Sequence, residues 1–261
     1  MSKLEDIAYK QPEESDVAKA QMKEAYDLFR KMAFNEEYDY PIMCELHDVF
    51  STSTGPRYDG VAADHNCLGC NFADAINLVD NFLSSHSTQT SIQHSHTTTL
   101  ILFYLLVERM DMLLNLIKLN DDIRKEDFKI LMEVRKWANF IKHPKAFILA
   151  HHPVFTFENA AQNPALKKEA VVCVDFTFVQ AYYSNDEKND KLFNELTNKD
   201  EVLVIYPALP RVAQQLCEAM QNIIGLLRDN AVFRRILGQK STFTGYWIPL
   251  NGQNCPQPAA Q

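Results

Sequence analysis

Apolar residues recur at helical spacing through most of the first half of the chain and again near its end. This periodicity predicts helices at residues 16–34, 71–84, 99–120, 126–142, 211–229 and 231–237. Ser15 precedes the first helix at a position that favours an N-cap. The helix at residues 99–120 contains the apolar run LILFYLLV, so we expect it to lie at the centre of a helical bundle.

The pattern changes after residue 145, where β-branched and aromatic residues become frequent. Residues 171–183 and 201–206 are predicted strands, and residues 146–150 and 154–157 are shorter extended runs. The predicted fold is mainly α, an antiparallel helical bundle with a small β-sheet and further helices in the second half.

The same change of pattern predicts the organisation of the chain into units. Residues 1–145 would form the helical bundle, and residues 146–250 the small sheet with the C-terminal helices packed on it. The two parts could equally be a single domain. Residues 251–261 are a polar stretch predicted to be a disordered tail.

Composition places the chain among cytoplasmic proteins that do not enter the membrane. Its 261 residues carry a net charge of −8, so binding to RNA would require a local basic patch. Six unevenly spaced cysteines do not form a disulfide framework, and the charged N-terminus lacks a secretory pattern. Glu108, Arg109 and Asp111 interrupt the apolar run well before the roughly 20 residues that a spanning helix needs.

The residues best suited to catalysis lie on the helix at residues 126–142. Arg135, Asn139 and His143 are spaced four apart and share one edge, and Lys142 lies on the same flank. An imidazole can move protons near neutral pH, and a cation can neutralise charge that develops on a phosphate. The alternative is structural, with the cations on a solvated flank and Asn139 and His143 capping the helix end.

This end of the helix resembles the motif of the HEPN superfamily. The features that carry the resemblance are an apolar helix with an interior Glu108-Arg109 pair, a short turn, and a helix ending in Asn139-x-x-x-His143-Pro. Family motifs place four to six residues between an arginine and the histidine, whereas Ala138 precedes Asn139 here. Arg135 is the nearest arginine, and seven residues separate it from His143.

The resemblance implies a protein that binds RNA or a nucleotide. Its active form would be a metal-independent endoribonuclease of a bacterial defence or toxin–antitoxin system, and its inactive form an accessory subunit. It also implies that two copies of the motif meet in a homodimer. The rival hypothesis is a non-catalytic protein-interaction subunit of a larger assembly, and a third is a small zinc-stabilised binding module.

A second set of residues has the spacing of a structural zinc site. Cys44-x-x-His47 and Cys67-x-x-Cys70 are two chelating pairs, and Gly69 allows the tight turn between the last two thiolates. The same cysteines could instead be small buried hydrophobic residues, or Cys67 and Cys70 a redox pair. If the zinc hypothesis is wrong, we expect no cofactor.

The histidines and the glycines of the chain bear on two further kinds of site. His94 and His96 could form a metal site with His151 and His152, although histidines that bond to backbone carbonyls are the simpler interpretation. The chain has only seven glycines and no phosphate-binding loop, which excludes classical nucleotide hydrolysis and dinucleotide-dependent chemistry.

Overall fold

The computed structural model describes residues 3–46, 68–142, 170–175 and 202–237. Within these ranges the fold is mainly α, as predicted. The described α-helices are α1 (Lys3–Ala33), α2 (Leu68–Ser84), α3 (Ile92–Leu116), α4 (Asp121–Asp127), α5 (Lys129–Ile141), α6 (Leu209–Asp229) and α7 (Ala231–Leu237). Short 3₁₀ helices span Ile42–Leu46 and His86–Thr88.

The central position predicted for the apolar helix is confirmed. α3 packs against α1, α2, α5 and α6, and α6 packs along α1. The large side chains at the centre are completely buried because each helix turns its apolar stripe inward. They include Met22 and Phe29 of α1, Ile76 of α2, Phe103 and Met110 of α3, Phe140 of α5, and Leu216 and Met220 of α6.

The start of α3 differs from the prediction. The helix begins at Ile92, and the Ser91 hydroxyl caps it by accepting a hydrogen bond from the backbone N–H of His94. The sequence prediction begins the helix only at residue 99, because the polar run before it lacks apolar periodicity. Ser95 and His96 of that run are nevertheless buried in α3, as is Thr99. The helix also ends earlier, because Lys118 takes a left-handed conformation with φ 52°.

Two other helix boundaries also differ from the sequence prediction. α1 begins at Lys3, so Ser15 lies inside the helix and does not cap it. The residues that precede Ser15 are mostly charged or polar, and hydrophobic periodicity cannot detect such a helix. Residues 121–125, predicted to connect two helices, belong to α4, which the Asn120 side chain caps by accepting from the N–H of Asp122 at 2.7 Å.

The described strands form a small antiparallel sheet that leads into the bundle. β1 (Ala170–Asp175) pairs with β2 (Val202–Pro207), with Cys173 opposite Val204 and Asp175 opposite Val202. β2 continues almost directly into α6, whose backbone N–H at Leu209 donates to Gln21 of α1 at 3.1 Å. The sheet therefore ends against the central helices, close to the N-terminal end of α3.

The remaining predicted elements stay predictions. The extended runs at residues 146–150 and 154–157 and the tail at 251–261 lie outside the described residues, as does the end of the strand predicted at 171–183. The division into units at residue 145 is likewise untested.

Candidate functional site

The edge of α5 carries three of the four predicted catalytic residues. Arg135, Asn139 and Lys142 follow one another along this helix, with Asn139 and Lys142 exposed and Arg135 half-buried. His143 directly follows Lys142 in the sequence but lies outside the described residues. We call Arg135, Asn139 and Lys142 the α5 edge. Its neighbours on α3 and α4 determine what these side chains can do.

Two carboxylates of α3 hold the Arg135 guanidinium. Its Nη2 lies 2.7 Å from Oε1 of Glu108 and also pairs with Oδ2 of Asp111. The two carboxylates differ in exposure, with 46% of the Glu108 side chain and 13% of the Asp111 side chain accessible to solvent. Arg135 is therefore anchored on one side by a nearly buried anion and paired on the other with an exposed one.

This environment keeps Arg135 charged. Burial acts to lower the pKa of Arg135, but the hydrogen bond to Glu108 and the charges of Asp111 and Glu108 outweigh that effect. The result is a pKa raised above its ordinary value. The guanidinium is thus a permanent cation, and its charge is balanced by protein carboxylates.

Asp111 also binds the neighbouring helix. Its Oδ1 accepts from Nη2 of Arg124 on α4 at 3.2 Å, and Nη1 of Arg124 donates to Asn115 at 2.6 Å. One nearly buried carboxylate therefore connects α3 with both α4 and α5. Interruption of the apolar helix by Glu108 and Asp111 is visible in the sequence, but their arginine partners are set by the packing of α5 on α3.

Lys142 has a different environment from Arg135. Its Nζ lies 3.8 Å from the centre of the Tyr104 ring, a cation–π contact. Among the described residues no carboxylate lies within ion-pair distance of this ammonium group. Burial raises the pKa of Tyr104, and the hydrogen bond between its side chain and Glu108 raises it further. Tyr104 is thus close both to Lys142 and to the carboxylate that pairs with Arg135.

Ala138 lies in the interior of the bundle. It is completely buried, whereas the neighbouring Asn139 is exposed. An arginine at this position would place a charged group inside the apolar core, at a cost of several kcal/mol, on the order of that for other unpaired buried ions. The α5 edge instead carries its cations at Arg135, which is half-buried, and Lys142, which is exposed.

The structure describes half of the predicted zinc site. Cys44 lies in the 3₁₀ helix Ile42–Leu46, which packs against α2, the helix that carries Cys70. Burial raises the pKa of the Cys44 thiol, and the nearby Cys70 and Asp74 raise it further. His47 and Cys67 lie outside the described residues.

The zinc site therefore stays a prediction. Within residues 3–46, 68–142, 170–175 and 202–237, no group of three or more His, Cys, Asp or Glu side chains is arranged to hold a metal ion. If all four predicted ligands bind zinc, elemental analysis of gently purified protein should find about one zinc per chain.

His94 and His96, which the sequence suggested as two ligands of a metal site, have different surroundings. His96 is completely buried, its Nδ1 lies 3.0 Å from the Ser95 hydroxyl, and its ring lies 5.6 Å from that of Tyr206. Burial lowers the pKa of His96 to about 3, although a hydrogen bond to the backbone at Ile92 acts in the other direction. His94 is exposed. His151 and His152 lie outside the described residues.

Comparisons with other proteins do not add to these observations. No family model matches the chain, and searches of curated proteins and of solved structures find no match either. Of the helices that the structure describes, none has the length and apolar character needed to cross a membrane. A functional hypothesis must therefore come from the side chains themselves.

Proposed function

We propose that this chain is an HEPN-like protein that binds RNA at the α5 edge and cleaves it without a metal ion. The observation that carries the proposal is the exposure of Asn139 and Lys142 beside the sequence position of His143. Lys142 has no carboxylate partner in the described part of the chain, so its charge is available to a phosphate. Such an activity suits a bacterial defence or toxin-type ribonuclease.

Each group would have a definite role in the reaction. The ribose 2′-oxygen bonds to phosphorus while the bond from phosphorus to the 5′-oxygen breaks, and the products are a cyclic phosphate and a 5′-hydroxyl end. His143 takes the proton of the 2′-hydroxyl, and Lys142 stabilises the charge that develops on the phosphate oxygens. His143 from a second copy of the chain would return a proton to the 5′-oxygen, so the proposal includes a homodimer.

The test is cleavage of an unstructured RNA by the purified protein without divalent metal. His143→Ala should abolish cleavage while the melting temperature stays unchanged, and His94→Ala, which alters an exposed histidine of α3, should cleave normally. Lys142→Ala should lower the rate by about 10²-fold, the usual effect of losing one charge-stabilising group. Lys125→Ala, at an exposed position of α4, is its matched control.

A non-catalytic interaction subunit is the second candidate, and a specific observation favours it. Ile123 of α4 and Met132 of α5 are 40% and 44% exposed, and exposed apolar side chains beside a polar edge suit a protein partner. The charge of Arg135 is also already balanced by Glu108 and Asp111. A light-scattering mass of one chain, together with no cleavage, would contradict the ribonuclease and leave the interaction subunit.

A further inference from the structure

The two carboxylates on Arg135 differ in how easily a ligand could replace them. The Glu108–Arg135 pair is exposed on both sides, at 46% and 41% of the side chains. Exposed ion pairs contribute about 0–1 kcal/mol because water and salt compete with them. An anionic ligand could therefore exchange with Glu108 at small cost.

Asp111 is not replaceable in this way. It is nearly buried and pairs with Arg124 as well as Arg135. Removing one partner from such a group leaves a poorly solvated charge, which is costly. Asp111 therefore holds the guanidinium in place whether or not Glu108 is paired with it.

Glu108 also lies close to the surface where the phosphate is proposed to bind. It is close enough to Tyr104 to raise the pKa of that hydroxyl, and the Tyr104 ring contacts Nζ of Lys142 at 3.8 Å. A carboxylate paired with Arg135 competes with a phosphate for that guanidinium. Guanidinium binds carboxylates and phosphates with the same two-pronged geometry, so the two anions are direct substitutes.

We propose that Glu108 is a built-in competitor for RNA, which occupies the exposed side of Arg135 until a phosphate displaces it. This inference rests on the proposed function, because it concerns how the same edge receives RNA. Asp111 keeps Arg135 in position during the exchange. The free protein therefore binds RNA more weakly than its cations alone would allow.

The experiment measures binding of a fluorescent 2′-O-methyl oligouridylate of about 12 nucleotides, which covers a typical single-strand site and cannot be cleaved. Glu108→Gln should bind it roughly five-fold more tightly, the effect of freeing one exposed ion pair. The plot of log affinity against log salt should steepen by about 0.7, as one more phosphate is neutralised. Glu126→Gln removes the same charge from an exposed position of α4 and should change the affinity less than two-fold.

A double variant separates competition from a general charge effect. In an Arg135→Gln background, Glu108→Gln should give no further gain, because the contested cation is absent. Equal effects of Glu108→Gln and Glu126→Gln, or a gain that persists without Arg135, would overturn this inference while RNA binding by the wild type still supports the proposed function. No binding by any variant would overturn both.

Discussion

The two ends of α3 satisfy their polar side chains in opposite ways. Near the N-terminus, Ser95, His96 and Thr99 are buried and neutral, and Thr99 donates to the backbone carbonyl of Ser95 at 2.7 Å. Towards the C-terminus, Glu108 and Asp111 form ion pairs with arginines from α4 and α5.

The difference follows from the cost of burying charge. A neutral hydroxyl or imidazole needs only a hydrogen bond inside a protein, whereas an ion needs a counter-ion and some contact with water. The buried end has no charge that a ligand could use. The charged end, where pairs can be exchanged, is where a function is expected.

The largest expected effect is a loss of stability at acidic pH, caused by His96 at the buried end of α3. Because the pKa of His96 is about 3 in the folded protein and about 6.5 in the unfolded chain, the unfolded state binds the extra proton as pH falls from 6.5 towards 3. The free energy of unfolding should therefore fall with acidity across this window. Between pH 7 and pH 5 the loss from His96 should be about 2 kcal/mol.

Urea titrations of wild type and His96→Gln at both pH values would measure that loss as a difference between the two proteins. His94→Gln, which alters an exposed histidine of the same helix, should keep the wild-type dependence on pH. Identical slopes for wild type and His96→Gln would show that the imidazole is not buried as described.

The second prediction compares the two carboxylates of the charged end. Asp111→Asn should lower the free energy of unfolding by about 1–3 kcal/mol, because two arginines lose a nearly buried partner. Glu108→Gln should lower it by less than about 1 kcal/mol, because the exposed pair contributes little. Urea titration at pH 7 measures both, and equal losses would contradict the distinction between an anchor and a competitor.

A third and smaller effect tests the contact between the sheet and the buried end. The hydroxyls of Thr97 and Tyr206 lie 3.1 Å apart and join α3 to the end of β2. Thr97→Val should cost about 1 kcal/mol, the contribution of one hydrogen bond. The neighbouring Thr98→Val is a matched control, since no side-chain hydrogen bond of Thr98 is seen in the described part of the chain. Thermal melts that shift equally for both variants would indicate a helix-propensity effect instead.

The smallest expected change in stability is at Lys142. Lys142→Ala removes an exposed cation–π contact with Tyr104 and should cost about 0.5 kcal/mol. RNA binding should nevertheless weaken. The slope of log affinity against log salt should become shallower by about 0.7, because one phosphate contact is gone. A large loss of stability would instead make Lys142 a structural residue of the bundle.

The sequence was sufficient for the parts of the fold that depend on apolar periodicity. The helix predicted at residues 211–229 is present as α6 with a buried apolar stripe of Val212, Leu216, Ala219 and Ile223, and α7 has its predicted bounds. Periodicity could not find the first turns of α3, because their buried side chains apart from Ile92 are serine, histidine and threonine. Polar residues enter a core only where tertiary contacts satisfy them, and those contacts are not local.

The candidate site was predictable only as a set of residue types. The spacing of Arg135 and Asn139 correctly placed them on one edge of a helix. The pairing of Arg135 with Glu108 and Asp111 joins positions 27 and 24 residues apart, and depends on how α5 packs against α3. The role of His143 and the zinc ligands His47 and Cys67 stay predictions.

The single carboxylate of Asp111 also makes α4 and α5 thermodynamically dependent on each other. Because Asp111 pairs with Arg124 and Arg135 together, a phosphate that shares the Arg135 guanidinium with it alters its attraction for Arg124 and so for the short helix α4. Linkage requires the reverse to be equally true. Amide hydrogen exchange in α4 should therefore change when RNA binds at the α5 edge. If a protein partner binds α4, it should change the affinity for RNA by the same factor by which RNA changes the affinity for that partner.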